Sequence, residues 1–296
     1  MTGGHVTSLA LSIVLAVIAA FLFALGSAMQ QNEAEQVTEG SSLMGELLRQ
    51  PRWWLGIGGD VGGYVFQAAA LGVGSVLVVQ PLVVTTLLFA LPISAVMNHA
   101  RIGRTTWALA GVLAVALAVF LVAGNPTEGV GDKPGRIWLW PLVAVGIVAA
   151  IACIVGSTPR VQTPLRALSF GVAGGLLFAI TTVLTKPLLV SYEERDFVPN
   201  TLRLFTDWRL YLLVACGLGA MYLQQRAFQL APIASSLPAI TVAEPVGAAV
   251  LGAVVLDESV TLTGARGFAV LVAVVATIAS AIELARRTGA PVSERV

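Results

Sequence analysis

Nine stretches of the sequence are each long and apolar enough to cross a lipid bilayer as an α-helix. A transmembrane helix needs about 20 predominantly apolar residues. Of the 296 residues, 57% are hydrophobic and only 11% are charged, a larger apolar share than a soluble domain requires. We therefore predict an all-α polytopic membrane protein with about nine transmembrane helices. The predicted spans are residues 8–29, 53–71, 76–97, 106–123, 138–155, 165–185, 211–230, 232–258 and 264–284.

The charge balance and the rare residue types exclude several classes of function. The net charge is only +1 and the sequence has no basic block, so we expect no nucleic-acid partner. Cys153 and Cys216 each lie alone within an apolar run, and we interpret both as small buried hydrophobic side chains. The sequence contains no zinc-ligand spacing, no GxGxxG or Walker loop, and no catalytic His/Ser/Asp cluster. We therefore expect neither a cofactor nor enzymatic activity.

The predicted span at 232–258 contains features that a passive anchor does not need. It carries Pro238, Pro245 and an acid, Glu244, far from either end. A charged side chain at the bilayer centre costs about 2.5–3.5 kcal/mol, so it usually faces the interior of the bundle. Proline inside a helix frees a backbone carbonyl and can break the helix beside a cavity. We interpret Glu244 as a substrate or ion site beside two hinges. The alternative is a packing kink whose acid pairs with a neighbouring helix.

A polar stripe runs along the second predicted span. Asp60, Tyr64 and Gln67 are spaced i, i+4 and i+7, so all three lie on one helical face. Lipid would not tolerate such a face, and we interpret it as the wall of a cavity with Asp60 as a proton or cation site. The alternative is a seam of hydrogen bonds between helices. Span seven carries a similar stripe with Tyr222 and Gln225, which we also predict to bind the substrate.

Short motifs of the first half recur in the second half in the same order. The offset is 157 residues for the first match and 164 for the last. One match pairs Gln80-Pro81 with Glu244-Pro245, which makes Gln80 a further candidate ligand and Pro81 a further hinge. The matches are Ala-Leu-Ser at 10–12 and 167–169, Tyr-x-x-Gln at 64–67 and 222–225, and Gln80-Pro81 with Glu244-Pro245.

The recurrence divides the chain into two repeats of four helices. We predict a first repeat at 1–137, a linking helix at 138–156, a second repeat at 157–285 and a disordered polar tail at 286–296. A single linking helix forces the second repeat to enter the membrane in the opposite orientation. Inverted repeats are typical of secondary transporters, whose substrate site lies near the bilayer midplane between the repeats.

The sequence resembles the drug/metabolite transporter superfamily, particularly its EamA-like members. The resemblance rests on Glu244-Pro245 in the middle of a helix, followed by Glu258 about a dozen residues later. The run RWWLGIGGDVGGYVFQAAALGVGSVLVVQPL is similar to the NIPA-type magnesium transporter branch in its tryptophan pair, its glycine-acid pair and its proline-leucine ending. The resemblance implies a helical carrier, and the second likeness implies a magnesium substrate.

The residues and the resemblance together predict a secondary membrane transporter that moves a small solute by alternating access. A magnesium or other divalent cation transporter is one alternative, with Asp60 and Glu244 as metal ligands. A flippase or accessory subunit for a lipid-linked precursor is another, and a sideways opening to lipid would favour it. We expect the lipid bilayer and a small-molecule or ion substrate as partners, and a homodimer remains open. Nine Lys and Arg residues on one side against seven on the other place the amino terminus outside and the carboxyl terminus in the cytoplasm of the cell membrane.

Overall fold

A computed structural model describes residues 2–34, 36–37, 42–97, 103–127, 135–193, 204–230 and 233–288. Helix accounts for 88% of the structure, and the described residues contain no strand beyond an isolated bridge between Thr127 and Ser259. The prediction of an all-α protein is confirmed at this level. Most of the predicted tail at 286–296 lies outside the described residues.

Eleven helices are described, and several of them have the length and composition of membrane spans. By these two criteria four segments qualify, namely Ser8–Ala34, Arg104–Gly124, Ile137–Ser157 and Thr163–Leu189. Shorter apolar segments are Val76–Ala90, Ala239–Val255 and Gly264–Ser280. These segments are consistent with a membrane protein. The helices are α1 (Thr2–Ala34), α2 (Leu43–Leu47), α3 (Pro51–Val73), α4 (Val76–Val83), α5 (Thr86–Met97), α6 (Arg104–Gly124), α7 (Gly135–Ser157), α8 (Thr163–Glu193), α9 (Trp208–Leu230), α10 (Ile233–Val255) and α11 (Gly264–Thr288).

Two centres of packing organise the bundle. Helix α1 packs against α3, α4 and α5, whereas α8 packs against α7, α9 and α10. The two groups meet where α4 packs on α10 and α3 packs on α8, and α6 packs on α11 at the side. Polar side chains of α3, α4, α8 and α10 are thereby brought into one region.

Glycines let α1 and α3 approach each other closely. A Cβ atom added at Gly59 would lie 2.9 Å from the Cα of Gly26, and one added at Gly56 would lie 3.0 Å from the Gly26 carbonyl oxygen. Small residues drive helix packing in lipid because they let backbones come close. The contact positions Asp60, the residue after Gly59, directly against α1.

The third predicted span, 76–97, is not one continuous helix. It is divided into α4 and α5 by a turn at residues 84 and 85, a few residues after Pro81. The backbone N–H of Thr85 donates to Leu82 O at 2.9 Å, and the hydroxyl of Thr85 donates to the same oxygen at 2.6 Å. These i→i−3 bonds are of the 3₁₀ type, which in mid-helix often marks a hinge.

By contrast, α10 runs without interruption through both of its prolines. The breaks predicted at Pro238 and Pro245 are absent, since residues 233–255 form one helix. The helix is held closely by its neighbour: a Cβ added at Gly175 of α8 would lie 2.9 Å from Ala243 Cβ and 2.9 Å from Ile240 O. Packing along α8 therefore keeps α10 in one piece despite the missing proline N–H groups.

Two packed layers lie along the bundle on either side of its middle. We call one the Glu258 end, where Leu71 of α3 packs with buried residues of α4, α8 and α10, including Val76, Leu184 and Val255. Trp53 of α3 lies in the other layer, and at 1.5 Å per residue it is about 27 Å along the helix from Leu71. We call this layer the α2 end. It is formed by Ala34, Val37, Leu43, Leu47, Trp53, Phe228 and Ile240.

Candidate functional site

A cavity of about 540 Å³ lies between these two layers. This volume is within the range of small-molecule sites, roughly 300–1,000 Å³. Most of the lining is apolar, with aromatic side chains from three helices in Phe23, Phe178 and Phe228. Both acids singled out in the sequence, Asp60 and Glu244, line this one cavity. The structure thus brings together a residue from each half of the chain.

Asp60 projects from α3 toward α1, where an amide holds its carboxylate. Gln30 Nε2 donates to Asp60 Oδ2 at 2.6 Å, and Gln225 Nε2 of α9 donates to Gln30 Oε1. Gln30 and Gln225 are both fully buried. Because Gln225 occupies the oxygen of the Gln30 amide, the nitrogen of that amide is directed at Asp60. Two amides therefore connect Asp60 of the first half to α9 of the second.

Glu244 meets side chains from three other helices. Its carboxylate hydrogen-bonds Gln67 of α3, Thr182 of α8 and Gln80 of α4, and Asp60 lies close enough to act on it electrostatically. Thr182 Oγ1 also accepts from Gln67 Nε2 at 3.3 Å and from Gln80 Nε2 at 3.1 Å. The two members of the polar-proline repeat, Gln80 and Glu244, thus face each other.

Two buried amide oxygens at this site have no hydrogen-bond donor among the described residues. They are Gln80 Oε1 and Gln225 Oε1. A buried acceptor without a donor costs about 1–3 kcal/mol. Both glutamines are fully buried and lie behind the cavity lining rather than in it.

Threonines of α8 complete the polar wall of the cavity. Tyr64 OH lies 2.7 Å from Thr185 Oγ1, which also donates to Thr181 O at 2.7 Å. Hydroxyls in helices commonly bond back to their own carbonyls, and Thr181 Oγ1 does so with Phe178 O at 2.7 Å. Thr182, which lines the cavity, and Thr185, which lies behind the lining, both also bond side chains of other helices.

Tyr222 does not line the cavity, in contrast to the α3 stripe of Asp60, Tyr64 and Gln67. Its side chain is 47% exposed, whereas Gln225 on the same helix is fully buried. Three residues turn a helix by 300°, which leaves the two side chains about 60° apart, enough to place one at the edge of the buried face. Arg226 is turned away from Glu244 as well: its Nη1 donates to Gln229 Oε1 at 2.8 Å, and its guanidinium lies 5.8 Å from the Phe170 ring.

Glu258 lies three residues after Val255, the last residue of α10. It has a structural role that the sequence pattern did not reveal. Its side chain is fully buried and accepts from the backbone N–H groups of Val76 at 2.9 Å and Leu77 at 3.0 Å. Lys186 Nζ of α8 lies 3.0 Å from Glu258 Oε1, the oxygen that also accepts from Val76. An acid at a helix N-terminus satisfies otherwise unpaired donors and complements the helix dipole. Glu258 therefore fastens the start of α4 to α8 and to the end of α10.

Gln30 is the other residue that sequence reasoning missed. The first span was predicted to end at residue 29, but α1 continues to Ala34 and keeps Gln30 within the bundle. Gln30 lies four residues after Gly26, so both share the face that packs on α3. That spacing was the available signal. Among the described residues, no group of three or more His, Cys, Asp or Glu side chains is placed to hold a metal ion.

Comparison with known proteins gives a relative over nearly the whole chain. No family model matches the sequence, and no solved structure matches it. An uncharacterized protein of Corynebacterium glutamicum is 32% identical over 277 residues, which are 91% of this chain and 94% of that protein. Identity at this level over this length shows common family membership. The chain therefore belongs to the same protein family as the Corynebacterium glutamicum protein.

Proposed function

We propose that the chain is a secondary membrane transporter that moves a small solute by alternating access. The observation that carries the proposal is the shared cavity of Asp60 and Glu244, which come from different halves of the chain. Acids within membrane spans are costly and usually mark a substrate or ion path. The cavity also touches the break between α4 and α5 through Val83, Val84 and Thr86. Irregular backbone at membrane depth is tolerated where it lines such a cavity.

The packing of the helices supports nine spans arranged as two inverted repeats. In this arrangement α1, α3, α4–α5 and α6 form the first repeat, α7 links, and α8, α9, α10 and α11 form the second. The first helix of each repeat packs on the second and third helices of the same repeat. The contacts of α4 with α10 and of α6 with α11 join equivalent members. This pattern is what a two-fold relation between the halves requires, and it accords with membership of the drug/metabolite transporter superfamily among its EamA-like carriers.

The lining of the cavity favours an organic solute with a basic or hydrogen-bond-donating group. Among the described residues that line it, Asp60 and Glu244 are acids and none is Lys, Arg or His. Magnesium keeps several waters and prefers oxygen ligands on most sides, whereas this lining is largely apolar. A divalent cation is therefore the weaker candidate, although the same two acids would be its ligands. The proposed setting is the cell membrane, with the amino terminus outside.

Transport by the purified protein in liposomes tests this function. Uptake of amines, amino acids and Mg²⁺ is measured for the wild type and for Asp60→Asn and Glu244→Gln. We expect one class of solute to be taken up by the wild type and lost in both variants. Glu46→Gln is the matched control, because Glu46 is an exposed acid on α2. Uptake that is equal in all four proteins would contradict a role for the two acids.

A flippase is the second candidate, and one specific observation favours it. Part of the cavity lining is exposed at the side of the bundle, at Val61 of α3 and Leu218 of α9. In a membrane, that side of the protein faces lipid.

A further inference from the structure

Both ends of the cavity are covered by packed side chains. At the α2 end, Trp53, Phe228 and Ile240 belong to one buried cluster with residues of α2. At the Glu258 end, Leu71 packs with residues of α4, α8 and α10 beside the ion pair of Lys186 and Glu258. Neither end of the cavity therefore offers a solute an open entry route.

The side of the cavity between α3 and α9 is different. Val61 is 58% exposed, Val214 is 48% exposed and Leu218 is 65% exposed, yet all three line the cavity. A side chain that both lines a cavity and is exposed to this extent forms the rim of an opening. The described parts of α3 and α9 make no extensive contact with each other, so the gap between them is not closed by packing.

This opening lies at mid-depth in both helices. Val61 is near the centre of α3, which runs from Pro51 to Val73, and Leu218 is near the centre of α9, which runs from Trp208 to Leu230. The rim is built from aliphatic side chains, while the acids and amides lie further inside. At this depth a bilayer presents acyl chains rather than water.

We propose that the cavity takes an amphiphile that enters sideways from the bilayer between α3 and α9. Its head is a positively charged amine or ammonium group held near Asp60 and Glu244, and its alkyl chain remains between Val61 and Leu218. The sign of the head follows from the lining, which has two acids and no basic side chain among the described residues. A phosphate head would bring negative charge beside the two acids, which is unfavourable. The inference rests on the transport function proposed above and specifies its substrate class and entry route.

Binding in nanodiscs of zwitterionic lipid tests the class of ligand. The probes are a long-chain alkylammonium ion, an alkyl sulfate with the same chain, and tetramethylammonium as the head alone, with the thermal midpoint of unfolding as the readout. We expect the alkylammonium ion to stabilise the protein and the sulfate to bind roughly tenfold more weakly or not at all, because of like-charge repulsion. Equal shifts with both amphiphiles would overturn the charge argument. Binding of tetramethylammonium as strong as that of the alkylammonium ion would show that the ligand needs no alkyl chain.

A pair of variants on one helix tests the entry route. Val61→Trp places a large ring at the rim, whereas Val65→Trp places it one turn further along, on a residue that is 59% exposed and does not line the cavity. The expected result is slow or absent alkylammonium binding in Val61→Trp and wild-type binding in Val65→Trp. Equal binding rates in the two variants would show that ligands enter elsewhere and would refute the opening.

The two proposals fail in distinguishable ways. Binding of the alkylammonium ion that depends on residue 61, without movement of the ion across liposomes, would refute transport and leave the side opening in place. Transport of a short, water-soluble amine that is insensitive to Val61→Trp would retain the transporter and refute the opening.

Discussion

The two copies of the polar-proline repeat, Gln80-Pro81 and Glu244-Pro245, behave differently. After Gln80-Pro81 the helix stops and restarts as α5, while α10 continues through Glu244-Pro245. The chemistry of the two pairs is similar, so the difference lies in their surroundings. Gly247 of α10 packs so closely on α8 that an added Cβ would lie 2.9 Å from Ala179 Cβ. Both helices border the cavity, α4–α5 at its break and α10 at Glu244 and Pro245. At the break, the Thr85 and Thr86 hydroxyls bond the carbonyls of Leu82 and Val83.

The two helices therefore have different mechanical roles. A helix held along its length by a neighbour tolerates proline without breaking, because leaving that neighbour would cost packing. At the break in α4–α5, threonine hydroxyls satisfy the carbonyls of Leu82 and Val83, which a continuous helix would bond through its own backbone. We expect α8 and α10 to move as one body and α4–α5 to bend.

The largest effect is expected from removing Glu258, which holds the start of α4. Glu258→Ala leaves the Lys186 ammonium group without its partner and two backbone N–H groups without an acceptor. Breaking a buried pair in this way costs roughly 3–5 kcal/mol, measured as the free energy of unfolding in detergent. Adding Lys186→Met to Glu258→Ala should restore part of the loss. No recovery in the double variant would show that the cap on α4, rather than the ion pair, supplies the stability.

Replacing each proline tests directly whether the two helices differ in their tolerance of it. Pro245→Ala should raise the free energy of unfolding by up to about 3 kcal/mol, because a continuous helix regains an N–H group and loses the ring clash. Pro81→Ala should gain less, since α4 ends two residues later at Val83. Its effect should appear in transport, which we expect to slow as the break straightens. Equal stability gains and equal transport rates would refute the difference in role.

The smallest effect is expected at the turn itself. Thr85→Val keeps the shape of the side chain but removes the hydroxyl that donates to Leu82 O. A hydrogen bond of this kind contributes about 0.5–1.5 kcal/mol, so the free energy of unfolding should fall by that amount. Thr105→Val, at an exposed position near the start of α6, is the control and should change little. If Thr105→Val lowers the free energy of unfolding as much as Thr85→Val does, the Thr85 hydroxyl does not stabilise the turn.

Helical periodicity predicted part of the candidate site from the sequence. The i, i+4, i+7 spacing placed Asp60, Tyr64 and Gln67 on one face, and the structure places all three in the cavity lining. The structure places Tyr222 outside that lining, because a 60° offset on a helix decides between the buried face and its edge. A periodic pattern defines a face but not which sector of it meets the neighbouring helix.

Other contacts could not be predicted from local pattern at all. Gln30 was missed because the apolar run ends before the helix does. The contact of Lys186 with Glu258 joins residues 72 positions apart, and nothing in either neighbourhood specifies the other. The break at residues 84 and 85 also depends on context, since Pro81 and Pro245 follow similar polar residues and only one of them precedes a break.

The cap on α4 also bears on how the chain is made. Val76 and Glu258 are 182 positions apart, so the ribosome completes the first four apolar helices long before the acceptor for the N–H groups of α4 emerges. Chains fold largely from the amino terminus during synthesis, and contacts so distant in sequence are closed late. Until then the start of α4 lacks its partner, and the first half of the protein cannot reach its final form alone. The start of α4 is therefore secured only after the end of α10 and the loop that carries Glu258 have been made.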